Sequence, residues 1–156
     1  MLRLCAYQPD IAQNLGAMIR IGACFGVPVD VISPCGFPFS VKALRRSAMD
    51  YAEIAEVVHH DSWEAFRGAR RAGRLVLMTT AADADLWSFR FAPGDVLVMG
   101  RESAGVPDDV HHACDARLRV PMLGGGRSLN VAVTAGIAVS EALRQLNGRS
   151  QRANLP

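Results

Sequence analysis

Short apolar runs that favour β-strands recur along the chain, and helical patterns fill most of the gaps between them. Strands that are apolar on both faces are buried on both faces, which is typical of parallel strands joined by helices. The sequence therefore predicts an α/β fold, with a mainly parallel sheet covered by helices on both faces. The predicted strands are Leu2 to Tyr7, Val27 to Ile32, a weaker Glu56 to His60, Leu75 to Thr80, Val96 to Gly100 and Leu118 to Met122.

The composition is that of a folded domain. Half of the 156 residues are hydrophobic and 21% are charged, which excludes a disordered chain. No repeat or linker divides the sequence, so we expect one domain over residues 1–148 and a flexible tail over 149–156. No apolar run reaches the roughly 18 residues of a membrane span, and the N-terminus resembles a strand rather than a signal peptide. We therefore expect a cytoplasmic protein that does not contact a membrane.

The cysteines and histidines do not predict a metal site. The cysteines show no C-x-x-C spacing and lie in apolar or mixed surroundings, where buried free thiols are common. The histidines form two adjacent pairs, and the side chains of sequence neighbours diverge on a strand or a helix, so they rarely share one metal. The residues concerned are Cys5, Cys24, Cys35, Cys114, His59, His60, His111 and His112.

The net charge of +2 excludes a strongly basic nucleic-acid binder, so any RNA contact must come from local patches. Two groups of basic residues have the spacing of one helix face. In an RNA-binding protein these faces would contact phosphates, and otherwise each is a solvated helix face. The groups are Lys42, Arg45 and Arg46, and Arg67, Arg70, Arg71 and Arg74.

A glycine-rich junction joins the last predicted strand to the last helix. Three successive glycines, at positions 124–126, let the backbone adopt positive φ and approach a ligand closely. Ser128 and Asn130 follow, and either can cap the helix or donate a side-chain hydrogen bond. The junction is therefore a candidate ligand site, although an ordinary connection between a strand and a helix has the same composition.

Two further polar segments follow strand ends, where open α/β sheets place their ligands. In the segment from Tyr7 to Arg20, Asn14 is a plausible helix N-cap that acts from the loop. Arg20 interrupts an apolar stretch and needs a partner, for which Glu102 in the segment 100–107 is the natural candidate. A purely structural Arg–Glu pair is the alternative.

Several common catalytic signatures are absent from the sequence. The chain has no G-x-x-x-x-G-K-[ST], no G-x-G-x-x-G and no G-x-S-x-G motif, which disfavours a nucleoside triphosphatase, a dinucleotide-dependent enzyme and a hydrolase of the nucleophile-elbow type.

The last helix is predicted from about Leu129 to Leu146. Large apolar residues recur at helical spacing, which predicts that this side faces the core. Small residues on the same helix would let another backbone pack closely, so we expect a subunit interface there. The predicted core side carries Leu129, Val133, Ile137, Ser140, Leu143 and Leu146, and the small residues are Ala132, Ala135, Gly136 and Ala138.

The three polar segments together resemble the motifs of the SPOUT (trefoil-knot) RNA methyltransferases. The matching patterns are N-x-G-x-x-x-R from Asn14, V-M-G-x-E-x-x-G-V-P from Val98 and R-V-P-M-x(4)-R-S-L-N-V from Arg119. The motif order, the chain length and the segment from Leu44 to Tyr51 resemble the minimal subfamily that methylates the ribose 2′-hydroxyl of the tRNA wobble nucleotide. The resemblance extends over the chain up to Leu146.

This resemblance implies a deep C-terminal trefoil knot, S-adenosylmethionine as cofactor without a metal, and tRNA as substrate. It also implies a homodimer whose active sites draw on both subunits. By position, the cofactor residues would be Met78, Gly100, Val120, Met122 and Ser128, and the catalytic residues Arg20, Glu102, Ser128, Asn130 and Asn14.

The resemblance also implies a role for Arg20 beside the ribose and its 3′ phosphate. A guanidinium holds its proton tightly and is a poor general base, which favours phosphate clamping and alkoxide stabilisation. Proton abstraction by Arg20 itself stays open. Two departures, the glycine-rich loop 123–127 and the apolar pair that follows Asn130, leave other targets open. These are another tRNA position, ribosomal RNA, or a catalytically idle RNA-binding protein.

Overall fold

The computed structural model describes residues 1–40, 56–69, 72–124 and 126–153, with the backbone alone from 149 to 153. Within these ranges, no helix is long and apolar enough to cross a membrane. Seven strands of the described residues form one sheet. They are β1 (Arg3–Tyr7), β2 (Val29–Ile32), β3 (Val57–His60), β4 (Leu75–Met78), β5 (Ala84–Asp85), β6 (Val96–Met99) and β7 (Ala116–Arg119).

Four α-helices and one 3₁₀ turn among the described residues connect these strands. Gly26 caps the C-terminus of helix α1 in a left-handed conformation, with φ of 64°. Glycine adopts this conformation without steric clash because it lacks a Cβ atom. The elements are α1 (Ala12–Phe25), α2 (Trp63–Ala69), the 3₁₀ turn Leu86–Ser88, α3 (Asp108–Ala113) and α4 (Val131–Ala153).

The strand order is β3-β2-β1-β6-β4-β7-β5, and every strand pairing in the sheet is parallel. The prediction of a mainly parallel α/β sheet is therefore confirmed. The chain builds outward from β1 to β3 and then crosses to the other half of the sheet. Open α/β sheets bind ligands near such a reversal, at the carboxyl ends of the strands.

Alternate strand residues face the two covered sides of the sheet. Leu4 and Ala6 of β1 lie in a core with α1 and α4, whereas Cys5 and Tyr7 lie in a second core with α2 and α3. Trp63 on α2 packs edge-on against the Tyr7 ring, with centroids 5.9 Å apart. Both faces of the sheet are thus covered, which explains why the strands are apolar throughout.

One buried polar cluster joins the first three strands. Arg3 donates two hydrogen bonds to Asp30 through Nε and Nη2, at 2.8 and 3.0 Å, and His60 Nε2 lies 2.8 Å from Asp30 Oδ1. The hydrogen bond to Asp30 raises the pKa of the Arg3 guanidinium. Asp30 and His60 are buried, so this pairing satisfies groups that would otherwise be costly inside the core.

Two strand predictions need correction. The last strand covers Ala116–Arg119 rather than Leu118 to Met122, because Ala116 to Leu118 pair with Val76 to Met78 of β4. Residues 120–122 follow the strand end and are free to form part of a ligand site. The two-residue strand β5 was missed, because so short a strand shows no periodicity.

The predicted core side of the last helix is correct only in part, since Ile137, Leu143 and Leu146 are half-buried and pack against the core. Leu129 precedes the helix and is 40% exposed, Val133 is 51% exposed, and Ser140 is also exposed. The buried side is made of small residues, because α4 lies close against the sheet and α1. A Cβ atom added at Gly136 would be 3.5 Å from Ile21 of α1. The residues of α4 in the core are Ala132, Ala135, Ala138, Val139 and Ala142.

The small residues of α4 therefore pack within the subunit, and they do not supply the subunit interface that we expected from them. The helix also continues to Ala153, beyond the predicted end at Leu146.

Candidate functional site

A cavity of about 790 Å³ opens at the carboxyl ends of β4, β6 and β7. Its floor is apolar, with Met78, Met99 and Leu118 at or near the three strand ends. Its walls come from the N-terminal part of α1, the loop 100–106, the segment 119–123 and residues 126–131. The three polar segments predicted from the sequence therefore meet at one cavity.

All but one of the predicted catalytic and cofactor residues line this cavity. The exception is Arg20, which lies on the exposed surface of α1, six residues after Asn14. Six residues turn a helix by about 240°, so the two side chains point in different directions. The lining residues among those predicted are Asn14, Met78, Gly100, Glu102, Val120, Met122, Ser128 and Asn130.

A chain of side-chain hydrogen bonds connects the three segments. Glu102 Oε1 accepts a hydrogen bond from Asn14 Nδ2 at 3.0 Å, and Asn14 Oδ1 accepts one from Asn130 Nδ2 at 3.0 Å. Glu102 Oε2 also accepts a hydrogen bond from the backbone N–H of Asp10 at 2.8 Å. Each polar group has a defined partner, so the segments are held in fixed relative positions.

Asn130 also caps helix α4. Its Oδ1 accepts hydrogen bonds from the backbone N–H groups of Ala132 and Val133, at 2.9 and 3.2 Å. These are donors that have no partner within the helix. Of the two candidates predicted from the sequence, Ser128 and Asn130, it is therefore Asn130 that caps the helix, and the same side chain orients Asn14 through its amide nitrogen.

The predicted role of Asn14 as an N-cap is wrong. Helix α1 begins at Ala12, Ile11 occupies the capping position without a side-chain hydrogen bond, and Asn14 lies inside the first turn. Its amide is directed instead toward Glu102 and Asn130. Tertiary partners therefore override the local capping preference of asparagine.

The expected pairing of Glu102 with Arg20 is also wrong. Both carboxylate oxygens of Glu102 accept hydrogen bonds from the segment 10–14. Among the residues that the structure describes, no ion pair joins Glu102 to Arg20.

Asp10 and Ser103 form a second contact between the same two loops, and the sequence motifs did not predict it. Asp10 Oδ2 accepts hydrogen bonds from the Ser103 hydroxyl at 2.5 Å and from its backbone N–H at 3.1 Å. These hydrogen bonds lower the pKa of the Asp10 carboxyl. The available signal was that each residue lies three positions after the end of a predicted strand.

Gly100 permits the tight closure of the loop after β6. A Cβ atom added at Gly100 would lie 2.8–3.0 Å from backbone atoms of Gly105. Arg101 and Gly105 exchange backbone hydrogen bonds of 2.8 and 2.9 Å across this loop. The close approach at Gly100 is therefore to the loop's own backbone, and it determines the shape of this cavity wall.

The cavity has the chemistry that a nucleoside-containing cofactor requires. Apolar side chains at the strand ends offer a surface for a flat ring, and the loops offer backbone donors and acceptors around it. Within the described ranges, no group of three or more histidine, cysteine or acidic side chains could hold a metal ion.

The chain belongs to the SpoU rRNA Methylase family, which it matches over residues 1–140. This membership confirms the resemblance to RNA methyltransferases inferred from the motifs. A curated relative from Beijerinckia indica, named tRNA (cytidine(34)-2'-O)-methyltransferase, is 46% identical and covers 98% of this chain and 97% of its own. An Escherichia coli protein of the same name is 35% identical, with 94% of each chain covered.

Solved structures agree with this assignment. One that concerns 2-OH methylation of C/U34 on tRNA superposes with a TM-score of 0.88 at 42% identity, covering 96% of this chain and 98% of that one. The methyltransferase AviRb from Streptomyces viridochromogenes, solved in complex with AdoMet, has a TM-score of 0.77 at 27% identity. The superposition with AviRb covers 94% of this chain and 58% of the AviRb chain.

Some predicted residues lie outside the described ranges. These are Lys42, Arg45 and Arg46, predicted to contact RNA, together with Arg70, Arg71 and Gly125.

Proposed function

We propose that this protein transfers a methyl group from S-adenosylmethionine to the ribose 2′-hydroxyl of a tRNA nucleotide, cytidine or uridine at wobble position 34. The observation that carries the proposal is the convergence of all three motif segments on one cavity at the strand ends. The names of the full-length relatives support the nucleotide and its position. We place the activity in the cytoplasm, where tRNA is available.

We assign cofactor binding to the cavity floor and its loops. Met78, Val120 and Met122 would contact the adenosine, and the loop after Gly100 would surround it with backbone groups. Bound there, S-adenosylmethionine would supply a methyl group on a positively charged sulfur, so the transfer needs no metal. The AdoMet complex of AviRb supports this choice of cofactor.

We assign a positioning role to Glu102, Asn14 and Asn130. Their hydrogen bonds fix the loop after β6 and the start of α4 on opposite walls of the cavity. Ser128, exposed in the wall next to Asn130, would contact the reacting ribose or the cofactor. Holding the reacting groups in line can account for several kcal/mol of barrier reduction, about 7–11 kcal/mol in well-oriented cases.

Arg20 would serve the cavity of a second subunit. Its own cavity does not include it, whereas its place in the first motif predicts contact with the reacting ribose and its 3′ phosphate. From a partner's α1, Arg20 would clamp the phosphate and stabilise the developing alkoxide. The hydroxyl proton would leave to the RNA phosphate or to water.

The exposed sides of α1 and α4 fit such a homodimer. These two helices pack together on one face of the sheet and carry large apolar side chains exposed to solvent. A second copy that covers them would bury on the order of 1,200 Å² or more. The exposed apolar residues at these helices are Ile11, Phe25, Leu129 and Val133. The C-terminal knot implied by the motif resemblance is part of the same proposal.

Mass-spectrometric mapping of ribose methylation in total tRNA, from cells with and without the gene, tests the proposed activity. We expect loss of a 2′-O-methyl group at position 34 in a subset of tRNAs, and its restoration by purified protein with S-adenosylmethionine and no added metal. Loss at another tRNA position or in ribosomal RNA would contradict the target assignment. An unchanged methylation map would contradict the activity itself.

A further inference from the structure

We propose that a second surface, separate from the cavity, binds an unpaired nucleotide of the RNA substrate through Trp87 and neighbouring arginines. The inference rests on the proposed function for the identity of the RNA. We call this region the Trp87 surface, and it consists of Trp87, Ser88, Phe89, Arg90, Arg144 and Gln145 around a groove of about 330 Å³.

Trp87 is presented to solvent by a short, well-anchored turn. The 3₁₀ turn Leu86–Ser88 buries Leu86 completely and leaves Trp87 55% exposed. Ser88 Oγ donates a hydrogen bond to the carbonyl of Asp85 at 2.8 Å, which fixes the turn. A flat indole held in place loses little conformational freedom when a base stacks on it.

Helix α4 holds the rest of the surface in place. Gln145 Oε1 accepts a hydrogen bond from the backbone N–H of Phe91 at 3.0 Å, and its Nε2 donates to the carbonyl of Phe89 at 2.9 Å. The rings of Phe89 and Phe91 meet edge to face, with centroids 4.9 Å apart. The segment after Trp87 is therefore a rigid platform with satisfied backbone groups.

The charges of this surface are arranged with guanidinium groups outward and carboxylates inward. Arg144 is 72% exposed, whereas its partner Glu141 is 12% exposed. Arg74 lies with its guanidinium carbon 4.7 Å from the Phe89 ring centre and pairs with the buried Asp95. Solvent, or a ligand, meets the positive partner of each pair.

Arg90 adds a cation that is not neutralised. Its side chain is exposed, and within the described part of the chain it forms no ion pair. Arg90 lies in the same groove as Trp87. An aromatic stacking surface beside an unneutralised guanidinium group is the combination that binds a base and its phosphate.

This charge pattern favours RNA over a second protein copy as the occupant. A protein that covered Trp87 would also bury the unpaired guanidinium group of Arg90, which costs free energy unless an acidic partner is supplied. A phosphate backbone supplies that charge at every nucleotide. The position is also suitable, because Trp87 lies two residues after Asp85, which lines the main cavity.

The experiment compares Trp87→Ala, Trp87→Phe, Arg90→Ala and Arg90→Lys with the wild type, using full-length tRNA. We expect Trp87→Ala to raise KM and Kd for tRNA roughly tenfold, within the range for loss of one base–aromatic stack. Trp87→Phe should recover most of the affinity. Arg90→Ala should lower the salt dependence of binding by about one phosphate contact, and Arg90→Lys should restore it. We expect kcat and cofactor affinity to stay unchanged.

Tryptophan fluorescence gives a direct second measurement. Trp63 on α2 is buried, whereas Trp87 is exposed and can contact tRNA. Bound tRNA should therefore quench tryptophan emission in the wild type but not in Trp87→Phe, where only the buried Trp63 remains. Unchanged tRNA binding in folded Trp87→Ala and Arg90→Ala proteins would overturn the inference. A shift of Trp87→Ala toward the monomer would overturn it too, because the surface would then face a second copy. Failure of the wild type to methylate tRNA would count against the proposed function, whereas tRNA binding would still test this surface.

Discussion

Arg20 belongs to the motif that we expect at the reacting ribose, but within one subunit it lies outside the cavity. If it clamps phosphate and stabilises the alkoxide, Arg20→Ala should lower methyl transfer about 100-fold, comparable to the loss of an oxyanion donor. Because Arg20 does not line its own subunit's cavity, cofactor binding should stay nearly intact. Arg20→Lys should recover little activity, since a point charge does not reproduce a two-pronged guanidinium. Single-turnover assays and calorimetry measure the two effects.

Thermal melts run beside these assays provide the control for Arg20. A purely structural arginine predicts that both substitutions lower the melting temperature and reduce activity only through unfolding. A folded Arg20→Ala protein with normal turnover would show that this side chain has no chemical role.

The contact between Asp10 and Ser103 predicts a pH dependence. Hydrogen bonds from Ser103 hold the pKa of Asp10 below its ordinary value of 3.8. The stabilisation is therefore fully present above pH 3.8 and is lost as the pH falls through the lowered pKa. Ser103→Ala should bind the cofactor less tightly than wild type at neutral pH, because the loop after β6 loses the hydroxyl hydrogen bond to Asp10 and keeps only the longer backbone one to that carboxylate.

Calorimetric titrations across this pH range measure the difference in cofactor affinity between the wild type and Ser103→Ala. We expect the difference in cofactor affinity to be constant from neutral pH down to pH 3.8 and to narrow below that, as Asp10 takes up a proton. A difference that is equally large at the lowest pH at which both proteins stay folded would contradict the role given to Asp10.

At the level of elements, the first turn of α4 combines a cap with a functional contact. Asn130 Oδ1 caps the helix, whereas its Nδ2 donates to Asn14. Asn130→Asp keeps an oxygen for the cap but has no amide donor, so stability should change little while methyl transfer falls. Asn130→Ala should lose both functions and about 1 kcal/mol of the free energy of unfolding.

Denaturant unfolding and methyl-transfer assays on the two Asn130 variants separate these functions. Equal loss of activity and stability in both variants would mean that the amide contact with Asn14 has no separate role. Full activity in Asn130→Asp would lead to the same conclusion.

The same helix shows where prediction from sequence fails. Leu129 and Val133 have the spacing of an apolar helix side, but small residues such as Ala135 and Ala138 have it too. The pattern alone does not say which side meets the sheet. Close packing on α1 and β6 selects the alanines, whereas Leu129 and Val133 remain on the surface.

The strands and the cavity were predicted more successfully, for a physical reason. Strands buried on both faces must be apolar throughout, and parallel strands must end at the same edge, so the segments that follow them meet there. The hydrogen-bond partners among the side chains at that edge were not predictable. Glu102 faces Asn14 rather than Arg20 because of distances across the fold that sequence spacing does not encode.

At the scale of the whole molecule, one subunit carries two features that a second copy would explain. The cavity lacks the motif arginine, and the exposed sides of α1 and α4 carry large apolar residues. Leu129 connects the exposed apolar surface with the cavity, since its side chain is exposed and also lines the cavity. The homodimer would therefore cover this surface and complete the site with the same contact. Light scattering that reports a monomer at micromolar concentration would contradict it.

Mixing two inactive variants tests the shared site directly. Gly100→Ala should disrupt the cavity loop, because a Cβ atom there lies within 3.0 Å of the Gly105 backbone. Arg20→Ala leaves the cavity intact but removes the arginine. In a mixed dimer, one site combines the intact cavity of the Arg20→Ala subunit with the intact Arg20 of the Gly100→Ala subunit. Half of randomly mixed dimers would each carry one complete site, so we expect about a quarter of wild-type activity.

The mixed-dimer assay distinguishes a shared site from one confined to a subunit. If Arg20 served its own cavity, every site in the mixture would lack either the arginine or the loop, and refolding the variants together would recover nothing. Each variant refolded alone gives the background, and native mass spectrometry of the mixture establishes that dimers containing one subunit of each variant have formed. Activity at the background level in dimers shown to contain both variants would therefore place Arg20 outside the partner's site, because subunit exchange would have been demonstrated independently of catalysis.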